Sequence, residues 1–405
     1  MAKSPLFKLP VNLPRFGIPL AWLQLKREKV RLVVAISGFS FAVLLIFLQL
    51  GFLNALFASV VRFHRGLNAD IVLISPRYVA LTSFASFSDR RLYQALGFAN
   101  VESVTPVYVG FAQWTNPQTQ ATRAILVYGV DPEAKAFNLP EVERNIAQTR
   151  LADTYLFDET SKLDYGPIAE TFLQGKPVQT ELSIAYGLGR RAIKVGGLFR
   201  MGTSFAADGN LITSQTNFLR LFGSRAQIDG LVEVGLIRLK AGADRKRTLA
   251  DLRTALPRDV RVLTKAEFIA FEQSFWGTIA PVGLLFNVGS IIGVIVGSGI
   301  VAQILYTDVS VHLPEYATLK AMGFTNRYLL TVVFQEALIL AVLGYIPGLV
   351  ISWAIYWAIT AATGLPVNMD LDRIVFVFSL TLLMALISGG IAVRKLKYAD
   401  PADIF

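Results

Sequence analysis

The sequence predicts an α-helical membrane protein with four transmembrane helices and a large α+β periplasmic domain inserted between the first and second helices. Three observations lead to this fold class. Hydrophobic residues make up 53% of the 405 residues and the mean hydropathy is positive, which is too apolar for an ordinary soluble chain. Four apolar stretches are each long enough to cross a hydrocarbon core of ~30 Å. The long segment between the first two stretches instead alternates strand-like and helix-like patterns.

The predicted organisation follows the chain in order. It consists of a cytoplasmic tail and interfacial helix (1–31), transmembrane helix 1 (32–57), a periplasmic α+β domain (58–277), transmembrane helix 2 (278–306), a cytoplasmic coupling helix (307–327), transmembrane helix 3 (328–360), a periplasmic loop (361–373), transmembrane helix 4 (374–393) and a cytoplasmic tail (394–405). A signal peptide is the alternative for the first span. Its apolar run is too long, begins too far from Met1 and lacks a small-x-small cleavage site, so a membrane helix is favoured.

The distribution of basic residues predicts the orientation of the chain. Those before the first apolar stretch are Lys3, Lys8, Arg15, Lys26, Arg27, Lys29 and Arg31, and those after the last are Arg394, Lys395 and Lys397. By the positive-inside rule, both termini of this inner (plasma) membrane protein are expected in the cytoplasm and the large domain in the periplasm. The remaining basic residues are scattered among acidic ones, so the net charge of +10 does not indicate a nucleic-acid partner.

Hydrophobic patterning divides the large domain into alternating elements. The predicted strands are 70–75, 101–114, 122–130, 192–199 and 232–239, and the predicted helices are 89–96, 214–221, 245–256 and 265–276. Turn-rich segments around the prolines of the middle region suggest two lobes, with a boundary near 140–180. Strand and helix alternation of this kind favours an α+β domain.

A short polar segment separates the second and third apolar stretches. Pro314 is typical of a helix start and Gly323 of a helix end. Helical spacing places Leu313, Ala317, Lys320 and Ala321 on one face, with Glu315 and Thr318 beside it. A helix of this kind is suited to lying at the membrane surface and contacting a cytosolic partner. A solvated connector explains the spacing equally well.

The wording of this segment resembles a known family. Residues 315–323, EYATLKAMG, resemble the E-(I/Y)-(G/A)-x-L-(K/R)-A-x-G signature of MacB/FtsX-type permeases of ABC transporters. Glu336-Ala337, Gly344 and Gly348 follow where that family has E-A-x-x-x-x-x-x-G-x-x-x-G. Within the family, the wording is most similar to the DevC branch, the permease subunits of cyanobacterial exporters. The resemblance covers the whole chain, but Val311-His312 stands where many relatives carry Glu-Arg, so no role is assigned to that pair.

The resemblance implies a non-catalytic permease subunit that works as a homodimer with a separate ATP-binding subunit. It also implies a periplasmic adaptor (a membrane-fusion protein), a TolC-like outer-membrane channel and a lipid-like or other amphiphilic cargo. The residues that it assigns to ATPase coupling are Glu315, Tyr316, Leu319, Lys320, Met322 and Gly323. The alternatives are an FtsX-like permease that transmits signals without moving a substrate, and lipoprotein release of the Lol type. The large outer domain favours the exporter.

Motifs for catalysis or nucleotide binding are missing from the sequence. There is no G-x-x-x-x-G-K-(S/T) loop, so ATP would have to be bound by the partner chain, and neither G-x-S-x-G nor H-E-x-x-H occurs. Cysteine is absent, which excludes disulfides and thiol chemistry. His64 and His312 are expected on opposite sides of the membrane and cannot share a metal ion. We therefore expect no catalytic, cofactor-binding or metal-binding residue.

Two other patterns in the large domain could be mistaken for sites. Asp153, Asp158, Glu159 and Asp164 could supply paired carboxylates, but their irregular spacing among apolar residues favours a solvated edge. The stretch 187–191, GLGRR, superficially resembles a phosphate loop. It follows no clear strand and opens no helix, so a turn is the better interpretation.

The apolar stretches themselves contain two features of interest. Gly289, Gly293 and Gly297 recur every four residues, which predicts a face where two helices pack closely, although glycine is common in membrane helices. With the homodimer that the resemblance implies, we expect this face to pack between two permease copies. Glu336 lies in the cytosolic half of the third span, where an ionisable residue usually faces protein or water. We expect it to contact the surface helix or a neighbouring span. A proton relay is disfavoured because no second intramembrane acid or histidine is expected beside it.

Overall fold

The structure is a computed structural model that describes residues 20–184, 190–223 and 230–397. The predictions for the tail before residue 20, for the glycines at 187 and 189 and for residues 398–405 fall outside these ranges.

The described residues form helices of widely different length. They are α1 Leu20–Arg27, α2 Lys29–Val60, α3 Arg62–Gly66, α4 Arg90–Leu96, α5 Pro140–Asn145, α6 Ile168–Leu173, α7 Gln215–Phe222, α8 Arg245–Ala255, α9 Lys265–Ser274, α10 Pro281–Val311, α11 Leu313–Ala321, α12 Asn326–Thr363 and α13 Leu371–Lys397. A turn of π-helix, Phe275–Ile279, follows α9, and short 3₁₀ turns lie at Ile146–Arg150 and Leu163–Tyr165.

The strands are confined to the segment between α3 and α9. They are β1 Ile71–Ile74, β2 Phe87–Ser88, β3 Val101–Thr115, β4 Thr122–Val130, β5 Thr154–Asp158, β6 Gln179–Ser183, β7 Arg190–Phe199, β8 Asn210–Ser214, β9 Leu231–Val232, β10 Val234–Leu239 and β11 Arg261–Thr264.

The chain divides into two compact units. The helical unit contains the described parts of residues 1–51, 288–356 and 368–405. The sheet unit contains Phe52–Asn287 together with Trp357–Val367, so the loop between α12 and α13 belongs to it. The four spans, Lys29–Val60, Pro281–Val311, Arg327–Thr363 and Leu371–Ile391, are long and apolar enough to cross a membrane.

The second span extends further than the sequence prediction of 278–306. Thr307 and Ser310 each donate a side-chain hydrogen bond to the carbonyl group four residues earlier, so both remain compatible with the helix. As a result, α10 continues to Val311. The polar residues that were expected to begin the coupling segment form the last turn of α10 instead.

Close packing between α12 and α2 depends on two glycines. A Cβ atom at Gly344 would overlap the side chain of Phe39, and one at Gly348 would lie 2.9 Å from the carbonyl oxygen of Ser40. The hydroxyl of Ser40 donates to the carbonyl of Gly344 at 2.9 Å. Small residues therefore let the two helices approach and exchange a hydrogen bond, which is the usual basis of helix association in a membrane.

The sheet unit is built on one nine-stranded sheet with the order β11-β1-β10-β3-β4-β8-β5-β7-β6. The 15-residue strand β3 pairs with β10 through its first half and with β4 through its second half. The end of β3 also pairs with β6. This pairing closes six strands, in the order β3-β4-β8-β5-β7-β6, into a barrel. β3 is thus shared by an open four-stranded part and a closed part.

The strands predicted from the longer hydrophobic patterns are confirmed as β1, β3, β4, β7 and β10, and the four predicted helices are confirmed as α4, α7, α8 and α9. The boundary placed near 140–180 is wrong, because β5 lies inside the sheet between β8 and β7. Strands β5 and β8 were missed since all five residues of each are buried and show no alternation. The run Ile71–Ile74 is covered on both faces, because its alternate residues enter two separate core clusters.

Candidate functional site

The short helix α11 has clear ends. Pro314 lies in its first turn, where the absence of a backbone N–H costs nothing. Gly323, with φ of +94°, adopts the left-handed conformation that closes the helix, and the amide of Phe324 donates back to the carbonyl of Leu319 at 3.1 Å. The signature glycine is therefore needed by the backbone.

The predicted coupling residues divide between two faces of α11. Glu315 and Met322 are exposed, with 63% of Met322 accessible, and Leu319 and Lys320 are half-buried. Tyr316 is only 1% exposed and lies in the core of the helical unit. This side chain therefore anchors α11 to its own chain, and its part in ATPase coupling stays a prediction.

Beneath α11 lies a cluster of buried polar side chains. Asp308 is 4% exposed, His312 6% and Glu336 1%. Tyr316 completes the cluster, and both Asp308 and Tyr316 lie beside the carboxyl group of Glu336. Burial, followed by the negative charge of Glu336, raises the pKa of the Tyr316 hydroxyl well above its usual value, so this hydroxyl keeps its proton.

Hydrogen bonding in this cluster is incomplete. Among the described residues, no partner of standard geometry is found for either carboxylate oxygen of Glu336, for Oδ2 of Asp308 or for the hydroxyl of Tyr316. The ring Nδ1 of His312 lies 3.0 Å from the backbone carbonyl oxygen of Asp308. Buried polar atoms are nearly always satisfied, so four such atoms in one place require a physical explanation.

The expectation that no second acid or histidine accompanies Glu336 is wrong. The sequence interpretation ended the second span before Asp308 and treated His312 as part of a surface segment. Because α10 continues to Val311, Asp308 is carried beside Glu336 of α12, and His312 follows directly at the end of α10, where it is buried. The spacing of Asp308 and His312, four residues apart at the end of an apolar helix, was the signal that could have revealed them.

A cavity of about 750 Å³ opens next to this cluster. Asp308 lies in its wall together with Gln303 and Thr307 of α10, and Arg27 and Lys29 also line it. The buried carboxyl group of Asp308 therefore borders a space large enough for many water molecules.

The three glycines of α10 pack within the chain. A Cβ atom at Gly289 would lie 2.9 Å from the side-chain oxygen of Gln49, and one at Gly293 would lie 3.6 Å from Cγ of the same residue. At Gly297 it would lie 3.1 Å from the methyl carbon of Met384. This face meets α2 and α13 of the same chain, so its interpretation as a face between two copies has no support here. The second copy itself stays a prediction.

A second buried glutamate, Glu272, lies in the sheet unit and is fully enclosed. It accepts hydrogen bonds from the backbone amide of Leu81 at 3.0 Å, the indole of Trp276 at 2.9 Å and the hydroxyl of Tyr78 at 3.3 Å. Nε2 of His64 lies 3.4 Å from the same carboxylate. These contacts join α3, which follows the first span, to α9, which precedes the second.

Asp158 is also completely buried, contrary to its interpretation as part of a solvated edge. It accepts hydrogen bonds from the backbone amide of Gly202 and the side-chain amide of Asn210, both at 2.9 Å. The correction has a simple cause: Asp158 ends the buried strand β5, whereas the other acids of the cluster form ion pairs with partly exposed arginines.

Next to Asp158, Arg62 connects the sheet domain to the loop between α12 and α13. Its guanidinium donates to the carbonyl of Thr203 at 2.7 Å, and the hydroxyl of Thr203 donates to the carbonyl of Thr363 at 3.3 Å. Burial lowers the pKa of Arg62, and Asp158 opposes that effect. Gly202, with φ of +100°, has no room for a side chain because Arg62 occupies that space.

Among the described residues, no group of three or more histidine, aspartate or glutamate side chains is placed to hold a metal ion. His64 and His312 belong to different units. Sequence reasoning missed Arg62 and Glu272, because their partners lie far away in the chain and leave no local pattern.

Comparison with protein families gives one match: residues 287–401 match the FtsX-like permease C-terminal domain. This range includes α11, α12 and α13, and α10 from residue 287 onwards. No curated protein matches the chain.

Solved structures with partial similarity cover about half of the chain. The periplasmic region of MacB from Actinobacillus actinomycetemcomitans has 10% identity and a TM-score of 0.33, over 53% of this chain and 96% of that one. The extracellular domain of the ABC-type transporter YknZ from Gram-positive bacteria has 11% identity and a TM-score of 0.33, over 49% and 100%. A domain of a putative permease protein from Porphyromonas gingivalis has 14% identity and a TM-score of 0.30, over 49% of this chain and 88% of that one. Scores this low carry no argument about function.

Proposed function

We propose that this chain is the permease subunit of an ABC exporter and that it couples ATP hydrolysis by a separate ATP-binding subunit to motion of its sheet domain. One observation carries the proposal: α11 stands between two membrane-crossing helices, inside the residues that match the FtsX-like permease domain. One of its faces is fixed to the chain through Tyr316, and the other presents Glu315 and Met322 to the outside.

The exposed face of α11 has the properties of a small docking surface. Glu315 supplies a charge, Met322 supplies an adaptable apolar contact, and Leu319 and Lys320 are half-buried between them. Because the opposite face packs in the core of the helical unit, a push on α11 is passed directly to α10 and α12.

The proposed orientation places α11 and both termini in the cytoplasm and the sheet domain in the periplasm. It rests on the basic residues that flank the first and last spans. In this arrangement the periplasmic segment 361–373 contains one basic residue, Arg373. Its guanidinium is buried and donates a hydrogen bond to the carbonyl of Asn368 at 2.6 Å.

The finer assignment follows the wording of the coupling segment. The similarity of EYATLKAMG to the DevC branch supports two permease copies, two ATP-binding subunits, a periplasmic adaptor and a TolC-like channel, with a lipid-like cargo. The large sheet unit favours this assignment over an FtsX-like signalling permease or Lol-type lipoprotein release.

Charge reversal on α11 tests the docking surface. Glu315→Lys should leave the protein inserted in the membrane but reduce, by tenfold or more, the amount of ATP-binding-cassette chain that co-purifies from native membranes. A rim ion pair is worth only about 1 kcal/mol, and reversal adds repulsion that carries the loss past the ~1.4 kcal/mol of a tenfold change. Glu102→Lys, the same reversal at an exposed site in the sheet unit, is the matched control. Undiminished ATPase capture by Glu315→Lys would refute the docking role.

Cysteine labelling tests the orientation independently, and the absence of native cysteine removes any background. A cysteine at Asp131 should react with a membrane-impermeant thiol reagent in intact cells whose outer membrane has been permeabilised. A cysteine at Glu315 should react only after the inner membrane is opened. Labelling of the Glu315 position in intact cells would reverse the topology and end the exporter proposal.

A further inference from the structure

The cluster beneath α11 brings two buried acids together. Asp308 comes from α10 and Glu336 from α12, and their carboxyl groups are neighbours. On α11, Tyr316 packs beside them, and the exposed Glu315 is near enough to add a further negative charge. Nδ1 of His312 lies 3.0 Å from the backbone carbonyl oxygen of Asp308 and 3.8 Å from Oδ1 of its carboxylate.

Charged residues around the start of α2 also lie near Asp308, and Arg27 and Lys29 line the large cavity with it. Arg31 and Glu28 border Asp308 in a small cavity at the start of α2. They form an ion pair with each other, so the guanidinium is not available in full to Asp308.

Two ionised carboxylates in contact, deep in a helical bundle, are strongly unfavourable. Each loses its hydration and each repels the other, and pairs of this kind take up one proton instead. A protonated carboxyl group becomes a hydrogen-bond donor, so a single proton lets one acid satisfy the other. One shared proton would give Oδ2 of Asp308 and one carboxylate oxygen of Glu336 the hydrogen-bond partner that each lacks.

A proton fits the site better than a metal ion does. No group of three or more ligating side chains is present in the part of the chain that the structure describes. The cavity that borders Asp308 provides a route for proton exchange with the solvent.

We propose that Asp308 and Glu336 hold one proton between them, that this proton exchanges with solvent through the cavity at Asp308, and that its loss releases α11 from α12. With the proton in place, Tyr316 packs against a site with a single negative charge. Without it, two like charges face the buried side of α11, water enters to hydrate them, and the contact through Tyr316 opens. The proposal concerns the permease alone and holds whichever chain docks on α11.

Infrared pH-difference spectroscopy of the purified protein in lipid nanodiscs detects the proton directly. Every sample carries Glu233→Gln, because burial raises the pKa of that glutamate of the sheet unit to about 7 and it would contribute a similar band of its own. The spectrum should contain a protonated-carboxyl C=O band that disappears as the pH is raised. Glu336→Gln and Asp308→Asn should each abolish this band. Asp372→Asn, which alters an exposed acid of α13, should leave it unchanged.

A spin label on α11 detects the release in the same preparation. Met322→Cys provides the single labelling site, because Met322 is exposed and the chain has no other cysteine. The label should become mobile at the pH at which the infrared band disappears. In Glu336→Gln it should stay immobile throughout, because no second charge can form.

Glu336→Asp keeps a carboxyl group at the position and should shift the transition without abolishing it. The titration of labelled Met322→Cys with both acids intact is decisive by itself: a label whose mobility is independent of pH overturns the proposal. A band that survives in Glu336→Gln overturns it as well. A transition that depends on sodium or potassium concentration would assign the site to a metal cation and overturn the proton.

Discussion

Two glutamates, one in each unit, are buried to the same degree but in opposite circumstances. Glu272 of the sheet unit is 0% exposed and receives three hydrogen bonds, from a backbone amide, an indole and a phenol. Glu336 of the helical unit is 1% exposed and receives none of standard geometry from the described residues. Glu272 therefore has fixed donors on several sides, whereas Glu336 has another acid beside it.

The difference separates a structural carboxylate from one that can change state. An ionised group with several fixed donors is expensive to alter, because each donor loses its partner when the charge is removed. An ionisable group without donors loses little on neutralisation, and the folded protein can gain or lose its proton at modest cost. Full burial alone does not distinguish the two roles; the partners do.

The largest expected effect comes from Glu272→Gln. The amide keeps one acceptor oxygen, but its N–H donors would stand where the other carboxylate oxygen now accepts from Trp276 or from Tyr78. The negative charge that strengthens all of these buried hydrogen bonds would also be lost. We expect a loss of about 3–5 kcal/mol in the free energy of unfolding, seen as a lower unfolding midpoint in detergent. The control is Glu102→Gln at an exposed position of β3, which should change stability by less than about 0.5 kcal/mol. Equal stability of the two variants would show that hydrogen-bond partners do not define the structural role.

An intermediate case is Glu233, which is 8% exposed and accepts only two hydrogen bonds, from the amide of Val109 at 3.1 Å and the hydroxyl of Ser86 at 2.9 Å. Burial raises its pKa to about 7 from an ordinary value of 4.5, and these bonds only partly oppose the shift. The folded state therefore holds this proton more tightly than the unfolded state does. Stability from this group is present below pH ~4.5 and is lost as the pH rises towards 7.

Glu233→Gln should remove that dependence. The stability difference between wild type and variant should fall by about 3 kcal/mol from pH 4.5 to pH 8, with wild type losing relative to the variant, at about 1.4 kcal/mol for each pKa unit. Urea or thermal unfolding at the two pH values measures it, and Glu102→Gln again serves as the control. A difference that grows with pH would mean that Glu233 is stabilised as a carboxylate, like Glu272.

The smallest expected effect on stability comes from Glu336→Gln. If one proton is already shared in the cluster, replacing the carboxyl group by its neutral isostere should change the unfolding free energy by less than about 1 kcal/mol at acidic to neutral pH. The measurement is the one used for Glu272→Gln, made side by side. A loss as large as that of Glu272→Gln would abolish the contrast between the two glutamates.

The long elements of this protein could be predicted because each carries its own pattern. The strand β4 is a nine-residue run rich in β-branched and aromatic residues, the helix α8 buries Thr248 and Leu252 on one face, and the spans are long, nearly continuous apolar runs. Strand β5 could not be predicted, since five buried residues in a row are compatible with either a strand or a helix. Its position in the sheet depends on β7 and β8, which come much later in the chain.

The candidate site was predicted in part. The position and ends of α11 follow from Pro314 and Gly323, whose backbone requirements are local. The burial of Tyr316 and the position of Asp308 beside Glu336 could not be predicted. Both depend on where α10 ends and on which sides of three helices meet. The prediction ended the second span at residue 306, whereas α10 ends at Val311. This difference of five residues left Asp308 outside the predicted span.

The connection between Arg62, Thr203 and the loop residue Thr363 has a consequence for biosynthesis. Arg62 and Thr203 are 141 residues apart in the chain, and Thr203 and Thr363 are 160 residues apart. During synthesis, which proceeds from the N-terminus, the strands of the sheet unit are complete long before residue 363 is translated. The connection of Arg62 and Thr203 with Thr363 can therefore form only after α12 has been inserted. If translation stalls before that point, the strands of the sheet unit are complete but this connection is missing. The contact between Thr203 of the sheet unit and the loop that joins α12 and α13 therefore forms late in synthesis.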